Sequence, residues 1–253
     1  MSTEKFKVYV INLKKDNKRK KNIIKQLKKQ KIKNYEIINA VNGNKLSKNK
    51  INLNTFKDKK GKNPWNTKMS PSQIGCALSH IKIYRQLIKS KYKIAIILED
   101  DAIFRFNLDI KLKNFITNCF IFKKQIILLS QLKQFFKKPI RKTKRYELVD
   151  VSNAFFTHAY FINENAAKSI ISFNYPVKTI ADNFVFFKIY CGIKITGINP
   201  FIIDQDKINY ETTISVQNNK DKKKFLFKRF IYKFKMKIIK FFIKLNSQNK
   251  MYK

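Results

Sequence analysis

An unbroken apolar run, Ile94-Ala95-Ile96-Ile97-Leu98, leads directly into three consecutive acids, Glu99, Asp100 and Asp101. A strand with no polar alternation must be buried on both faces. That requirement is met in parallel sheets covered by helices, so the run points to an α/β fold. Ligands of open α/β sheets bind outside the carboxyl ends of the strands, where these acids sit. The chain has 56 basic residues against 16 acidic ones, a formal charge of +40. Setting three scarce carboxylates side by side raises the free energy of the protein through mutual repulsion, so a cation is needed beside them. If the extended geometry persists, period two places Glu99 and Asp101 on one side and Asp100 on the other. Two carboxylates at i and i+2 can share a hard divalent cation that keeps positions open for substrate phosphates. The competing reading, helix caps or solvated loop acids, suits an isolated pair better than three acids in so basic a chain.

The elements around the run agree with α/β order. Lys7 to Leu13 (KVYVINL) predicts a buried strand, and Asn17 to Gln30 a basic amphipathic helix with Ile23, Ile24 and Leu27 inward. Tyr35 to Ala40 is a second strand, closed by the turn Asn42-Gly43. This β-α-β sequence is the signature of a parallel sheet with crossover connections. Residues 44–69 read as a long polar loop, a length associated with function. Ser70-Pro71-Ser72-Gln73 is a capping box with proline at the first helical position, opening a helix to about Lys89. Ile74, Ala77, Leu78, Ile81, Tyr84 and Ile88 share one face of it. Gly75, Cys76 and Ser79 fall on the other side, small residues that admit a close approach. Ile126 to Leu129, Ala159 to Ile162 and Ile193 to Ile198 are further strands, and Asn163 caps a helix from Glu164 to Ser172.

With 253 residues, 44% of them hydrophobic, the chain suits one α/β domain with an appendage. Cys76, Cys119 and Cys191 are odd in number and widely spaced, suggesting neither a disulfide framework nor a zinc site. The absence of a signal peptide, or of about 18 uncharged apolar residues in a row, leads to the expectation of a cytoplasmic protein. The charge calls for anionic partners: a membrane surface, nucleic acid or phosphorylated small molecules. The dispersal of the lysines and the lack of a DNA- or RNA-binding signature argue against nucleic acid, which stays the competing function class.

VYVINLKKDNKRKK, AVNG, SQIGCALSHIKIY, IAIILEDDAIF and THAYFINENAAKSII occur in this order over roughly residues 6–205. Together they resemble glycosyltransferase family 25, the lipooligosaccharide galactosyltransferase-type enzymes with collagen-modifying relatives. The resemblance implies an α/β glycosyltransferase A-type (Rossmann-like) fold, with a mostly parallel central sheet flanked by helices. It implies an inverting transfer of a hexose, galactose foremost, from a UDP-sugar to a lipooligosaccharide, lipopolysaccharide or related acceptor, glycolipid or oligosaccharide. Glu99, Asp100 and Asp101 match the acidic motif that holds Mn2+ (or Mg2+) against the diphosphate, as an Asp-x-Asp motif does. Asn12, Arg19, Asn42, Gly75, Ser79, His80, Glu99 and Asp100 fall at positions expected to contact the donor. Two departures stand out: Asn42 occupies the place of an acid, and Lys14 and Lys15 stand where an acid and an arginine are common. A catalytically degenerate, sugar-binding member is a further alternative.

The catalytic residues expected are Asp101 and Asp182. Asp182 lies in an apolar and aromatic stretch, PVKTIADNFV, where burial raises a carboxyl pKa and fits it to accept a hydroxyl proton. The resemblance also carries an acid near this point; capping the following helix is the alternative role. His158 reads as a strand-edge residue, and Asp204 and Asp206 as loop residues.

After about Lys220 the composition changes. In residues 222–245, Leu226, Phe227, Phe230, Ile231, Phe234, Ile238, Phe241, Phe242 and Leu245 form an apolar arc, with most lysines opposite. Such a C-terminal basic amphipathic helix lies in the plane of an anionic membrane. Its alternative is a helix packed on its own domain. The reading therefore divides the chain into a catalytic domain, 1–220, and a membrane-associating tail, 221–253, placing the protein on the inner face of the cytoplasmic membrane.

Overall fold

The structure, a computed structural model, describes residues 6–57, 69–154 and 157–206. The expected tail helix and the second half of the 44–69 segment lie outside the described residues. In chain order the elements are β1 (Lys7–Asn12), α1 (Asn17–Lys29), β2 (Tyr35–Asn39), α2 (Lys48–Asn54), α3 (Pro71–Lys89), β3 (Ile94–Glu99), β4 (Ala102–Phe104), α4 (Ile110–Asn118) and β5 (Gln125–Leu128). They continue with β6 (Gln134–Phe135), β7 (Arg141–Lys142), β8 (Glu147–Asn153), β9 (Ala159–Asn163), α5 (Glu164–Asn174), α6 (Phe184–Tyr190), β10 (Lys194–Asn199) and β11 (Ile203–Gln205).

A nine-stranded sheet runs β2-β1-β3-β9-β5-β10-β8-β6, with β7 also on β8. β2, β1 and β3 are mutually parallel, as are β5 and β10; β9 is antiparallel to both β3 and β5. Strand β3 is buried on both sides, as its uninterrupted apolar run requires: Ala95 to Leu98 are at most 1% exposed. Val8, Val10, Ile96, Leu98 and Phe161 pack with Ile23 and Leu27 of α1 and with Leu112 and Ile116 of α4. Tyr9, Ala95, Ile97, Tyr160 and Ile162 pack with α3, α5 and α6 through Ile83, Leu87, Ile170 and Phe187. Successive residues of one strand thus feed two cores, giving helix–sheet–helix layers. Truncating Ile97 to alanine removes a side chain from a site that cannot collapse, at a cost of about 2–5 kcal/mol.

The capping box forms as expected: Ser70 Oγ accepts from Gln73 N at 3.3 Å, and Gln73 Oε1 accepts from Ser70 N at 2.9 Å. Helix α3 is buried more widely than one face, because Gly75, Ser79 and His80 are covered as well. The polar loop begins with a helix that its composition hides. None of the residues of α2 (KNKINLN) is buried, so it shows no apolar period, and Ser47 Oγ caps it from Lys50 N at 3.3 Å.

From β1 the chain crosses through α1 to β2 on one side, then through α3 to β3 on the other. The carboxyl ends of β1 and β3 therefore flank a topological switch point, where the crevice of an open α/β sheet lies. A separate two-stranded ribbon, β4 with β11, pairs Ala102 with Gln205 and brings residues 204–206 to the same end.

Candidate active site

Asn12 ends β1 and Glu99 ends β3. The strand does not continue past Glu99: Asp100 and Asp101 lie in a turn before β4, so the alternation expected for the three acids is replaced by a fan of separate contacts. Glu99 Oε1 accepts from Thr157 Oγ1 at 2.5 Å. Asp100 is held on both oxygens, by Asn12 Nδ2 at 2.7 Å and Arg19 Nη1 at 3.3 Å. Asp101 Oδ2 accepts from Gln205 Nε2 at 3.0 Å and lies 3.9 Å from Arg19 Nη1, whereas its Oδ1 is buried with no hydrogen-bond partner. Asn12 and Arg19 thus brace an acid of the motif.

The electrostatics follow from burial and crowding. Burial pushes the Asp100 carboxyl up to about 6, with Asn12 and Arg19 opposing and Asp101 adding to the rise. Asp101 is raised by burial and by the Glu99 charge, against Gln205, His158 and Arg19. Burial also raises Glu99, but His80, Thr157 and His158 outweigh it and hold Glu99 below the ordinary glutamate range. The His158 imidazole is depressed by burial, partly offset by Glu99, Asp101 and Asp204.

On α3, the small residues serve the turn after β2 in place of an open groove. A Cβ on Gly75 would stand 2.5 Å from Gly43 N and from Val41 O, so only glycine lets the turn approach. Ser79 Oγ accepts from Val41 N at 2.8 Å and donates to Gly75 O at 2.7 Å. Asn42, half-buried, sits in that turn, and Ala40 N beside it donates to Asn12 O at 2.9 Å. His80, 1% exposed, contacts Tyr160 Oη through Nδ1 at 2.8 Å, while its Nε2 lies 3.6 Å from Glu99 Oε1.

Asp182 is half-buried in the turn before α6. The helix cap is its neighbour Asn183, whose side chain accepts from Phe186 N at 3.4 Å. Burial raises the Cys76 thiol well above its ordinary value, and the charges of Glu99, Asp182 and Asp101 add to the rise. His158, just before β9, accepts from Glu99 N through its carbonyl at 2.9 Å. Asp204 lies in strand β11, not in a loop, and buried Asp206 donates its backbone N–H to Asp101 O at 2.8 Å. Thr157 and Gln205 were missed in the sequence; neither stands in a pattern that marks it.

The description "Glycosyltransferase family 25 (LPS biosynthesis protein)" fits residues 5–185. Human procollagen galactosyltransferase 2 is 24% identical over 174 residues, 66% of this chain and 27% of that protein. A procollagen lysyl hydroxylase and glycosyltransferase of Acanthamoeba polyphaga mimivirus is 26% identical over 221 residues, 80% of this chain and 23% of that one. A Haemophilus influenzae protein described as a glycosyltransferase is 27% identical over 206 residues, 78% of this chain and 70% of that one. The chain spans about a quarter of the two procollagen-modifying relatives. With the family match covering more than half of its length, from the first strand to the base candidate Asp182, the chain belongs to glycosyltransferase family 25.

Proposed function

We propose that this glycosyltransferase is an inverting enzyme that moves a hexose, galactose foremost, from a UDP-sugar to a lipooligosaccharide, lipopolysaccharide or related surface-glycan acceptor. The observation that carries the reading is the buried, unpartnered Oδ1 of Asp101 beside Glu99 and Asp100 at the switch point. A carboxylate oxygen shut away from water without a donor is costly, and a cation relieves it. The donor set is all oxygen and suits a hard ion; Glu99, Asp100 and Asp101 are the ligands assigned, with Asp101 offering its free oxygen. Mn2+ or Mg2+ held there supplies charge neutralisation for a diphosphate leaving group.

The chain's own residues do the rest. Arg19 and Asn12 fix Asp100, and Arg19 lends positive charge toward Asp101. Asp182 is assigned the general base: it takes the acceptor hydroxyl proton as that oxygen attacks the anomeric carbon on the face opposite UDP, so the configuration inverts. Asn12, Arg19, Asn42 and His80 are assigned to the donor side, Gly75 and Ser79 supporting them through the turn. Galactose and a glycan acceptor are supported by the names of the relatives and of the family. The direct test is hydrolysis and transfer across a UDP-sugar panel with and without Mn2+. Metal-dependent use of one UDP-hexose supports the reading, and full activity in excess EDTA contradicts it.

Among the described residues no helix is long and apolar enough to cross a membrane. Residues 222–245 are assigned to peripheral attachment, on their sequence alone, through partial burial of aromatics and roughly 1 kcal/mol per lysine near an anionic surface. Deleting 222–253 should release the protein from anionic vesicles in a flotation assay and leave solution donor hydrolysis intact. Undiminished flotation would contradict it.

A further inference from the structure

Beside the carboxylate fan, a group of side chains able to ligate a metal comes together that the sequence spacing did not announce. The Cys76 thiol, a His80 ring nitrogen and a Glu99 carboxylate oxygen all lie within 4.8 Å of one another. Cys76 and His80 are four residues apart on α3, so one helical face presents both, and β3 delivers Glu99 across from them. His80 Nε2 is buried without a hydrogen-bond partner and faces Glu99 Oε1 at 3.6 Å. That separation is too long for a hydrogen bond. Two nitrogen or oxygen ligands, each about 2.1 Å from a tetrahedral ion, stand about 3.4 Å apart, close to what is seen.

The surroundings prepare the histidine. Its Nδ1 meets Tyr160 Oη at 2.8 Å, and Tyr160 Oη meets Tyr84 Oη at 2.7 Å, all three side chains buried. In the tautomer that a metal requires, Nδ1–H donates to Tyr160, Tyr160 donates to Tyr84, and the lone pair of Nε2 points at Glu99. An acceptor facing a carboxylate is unfavourable until a cation stands between them. A second hydrogen bond that fixes tautomer and ring orientation is the usual companion of a ligating histidine. Cys76 is half-buried, and three protein ligands would leave a fourth tetrahedral position for water.

We propose that Cys76, His80 and Glu99 form a three-ligand site for a divalent transition ion of borderline softness, the Zn2+ class, distinct from the all-oxygen donor site but sharing Glu99 with it. Mixed sulfur, nitrogen and oxygen donors select such an ion over Mg2+ or Mn2+. Binding replaces the thiol proton of Cys76 by the ion and releases that proton to solvent. An ion there draws Glu99 toward α3, so the two sites compete for one carboxylate.

The test titrates Co2+ alone into the full chain after chelator treatment and removal of the chelator. A saturable thiolate-to-cobalt charge-transfer band is expected, bleached by Zn2+, lost in Cys76→Ser and retained in Cys191→Ala. His80→Gln should weaken apparent Co2+ affinity at least tenfold. Because the serine variant could misfold, the wild-type chain gives a second readout: Zn2+ should protect Cys76 from iodoacetamide in peptide mass spectrometry, and Mg2+ should not. A band of unchanged strength in Cys76→Ser, no band in the wild type, or alkylation of Cys76 unaffected by Zn2+ would each overturn the proposal. Asp101→Asn should keep the cobalt band while losing Mn2+-dependent turnover, so failure of this site is separable from failure of the donor-site reading.

Discussion

Asp150 on β8 sits between two lysines, with Lys194 Nζ 2.7 Å from Oδ2 and Lys188 Nζ 3.6 Å from Oδ1. At the ends of β1 and β3, two carboxylates share one guanidinium, with Arg19 Nη1 3.3 Å from Asp100 and 3.9 Å from Asp101, while Glu99 faces His80 Nε2 at 3.6 Å. Both places are poorly exposed, and the chain carries lysine in excess. Nothing in composition explains why, among the described residues, one acid receives two lysines here and two acids share one arginine there. The first cluster is closed in charge, balanced by the chain itself and tying α6 and β10 to β8, even though Asp150 Oδ1, like Asp101 Oδ1, is buried without a hydrogen-bond partner. The second is short of positive charge, at the position where α/β sheets bind ligands. On the proposed reading, an imported cation fills the gap where the chain could have placed lysine. That contrast separates a structural ion cluster from a working one.

The largest effect expected is at Asp182, the residue proposed to accept the proton. Asp182→Asn should keep donor binding, read by UDP-sugar titration, while transfer to acceptor falls by about 10²–10⁴, because an amide cannot take the hydroxyl proton. Transfer at near wild-type rate would move the base elsewhere, with Asp204 and Asp206 next in line.

A pH series on metal-free protein sharpens the comparison. The folded Asp100 carboxyl, pushed up to about 6 from 3.8, holds its proton more tightly than the unfolded chain does. Its contribution to stability therefore grows as pH falls through about 6 and levels off below the unfolded value, on the order of 3 kcal/mol in all. The difference between wild type and Asp100→Asn in urea unfolding isolates this group. A difference independent of pH would mean that the crowding is already relieved.

The smaller effect belongs to the closed cluster. Asp150→Asn leaves Lys188 and Lys194 facing each other without their anion and should cost about 2 kcal/mol of stability. It should leave kcat/KM within about threefold. A large loss of activity without loss of stability would erase the distinction drawn between the two regions.

How much of this was legible in the sequence depends on the range of the interaction. β3 and α3 were readable because a continuous apolar run and a capping box are local signals. α2 was not, since it buries nothing, and neither were β6 and β7, two residues each. The acid motif could be read at once. Its partners could not: Thr157 reaches Glu99 across 58 positions, and Gln205 reaches Asp101 across 104. Those contacts are made by the antiparallel placement of β9 and by the β4–β11 ribbon, which no periodicity encodes. Gly75 and Ser79 do admit the close approach that their size signals, and what arrives there in the structure is the turn after β2, a partner that small residues alone do not name.

On the proposed reading, Asp101 is the principal ligand of the donor-site cation. Titrating Mn2+ by calorimetry into wild-type, Asp101→Asn and Asp150→Asn protein, in the presence of UDP, tests it most directly. The account predicts one Mn2+ site in wild type and in Asp150→Asn. In Asp101→Asn it predicts a site weakened at least about a hundredfold, about 3 kcal/mol, with a matching fall in kcat/KM for the UDP-sugar. Equal Mn2+ affinity in wild type and Asp101→Asn would contradict it.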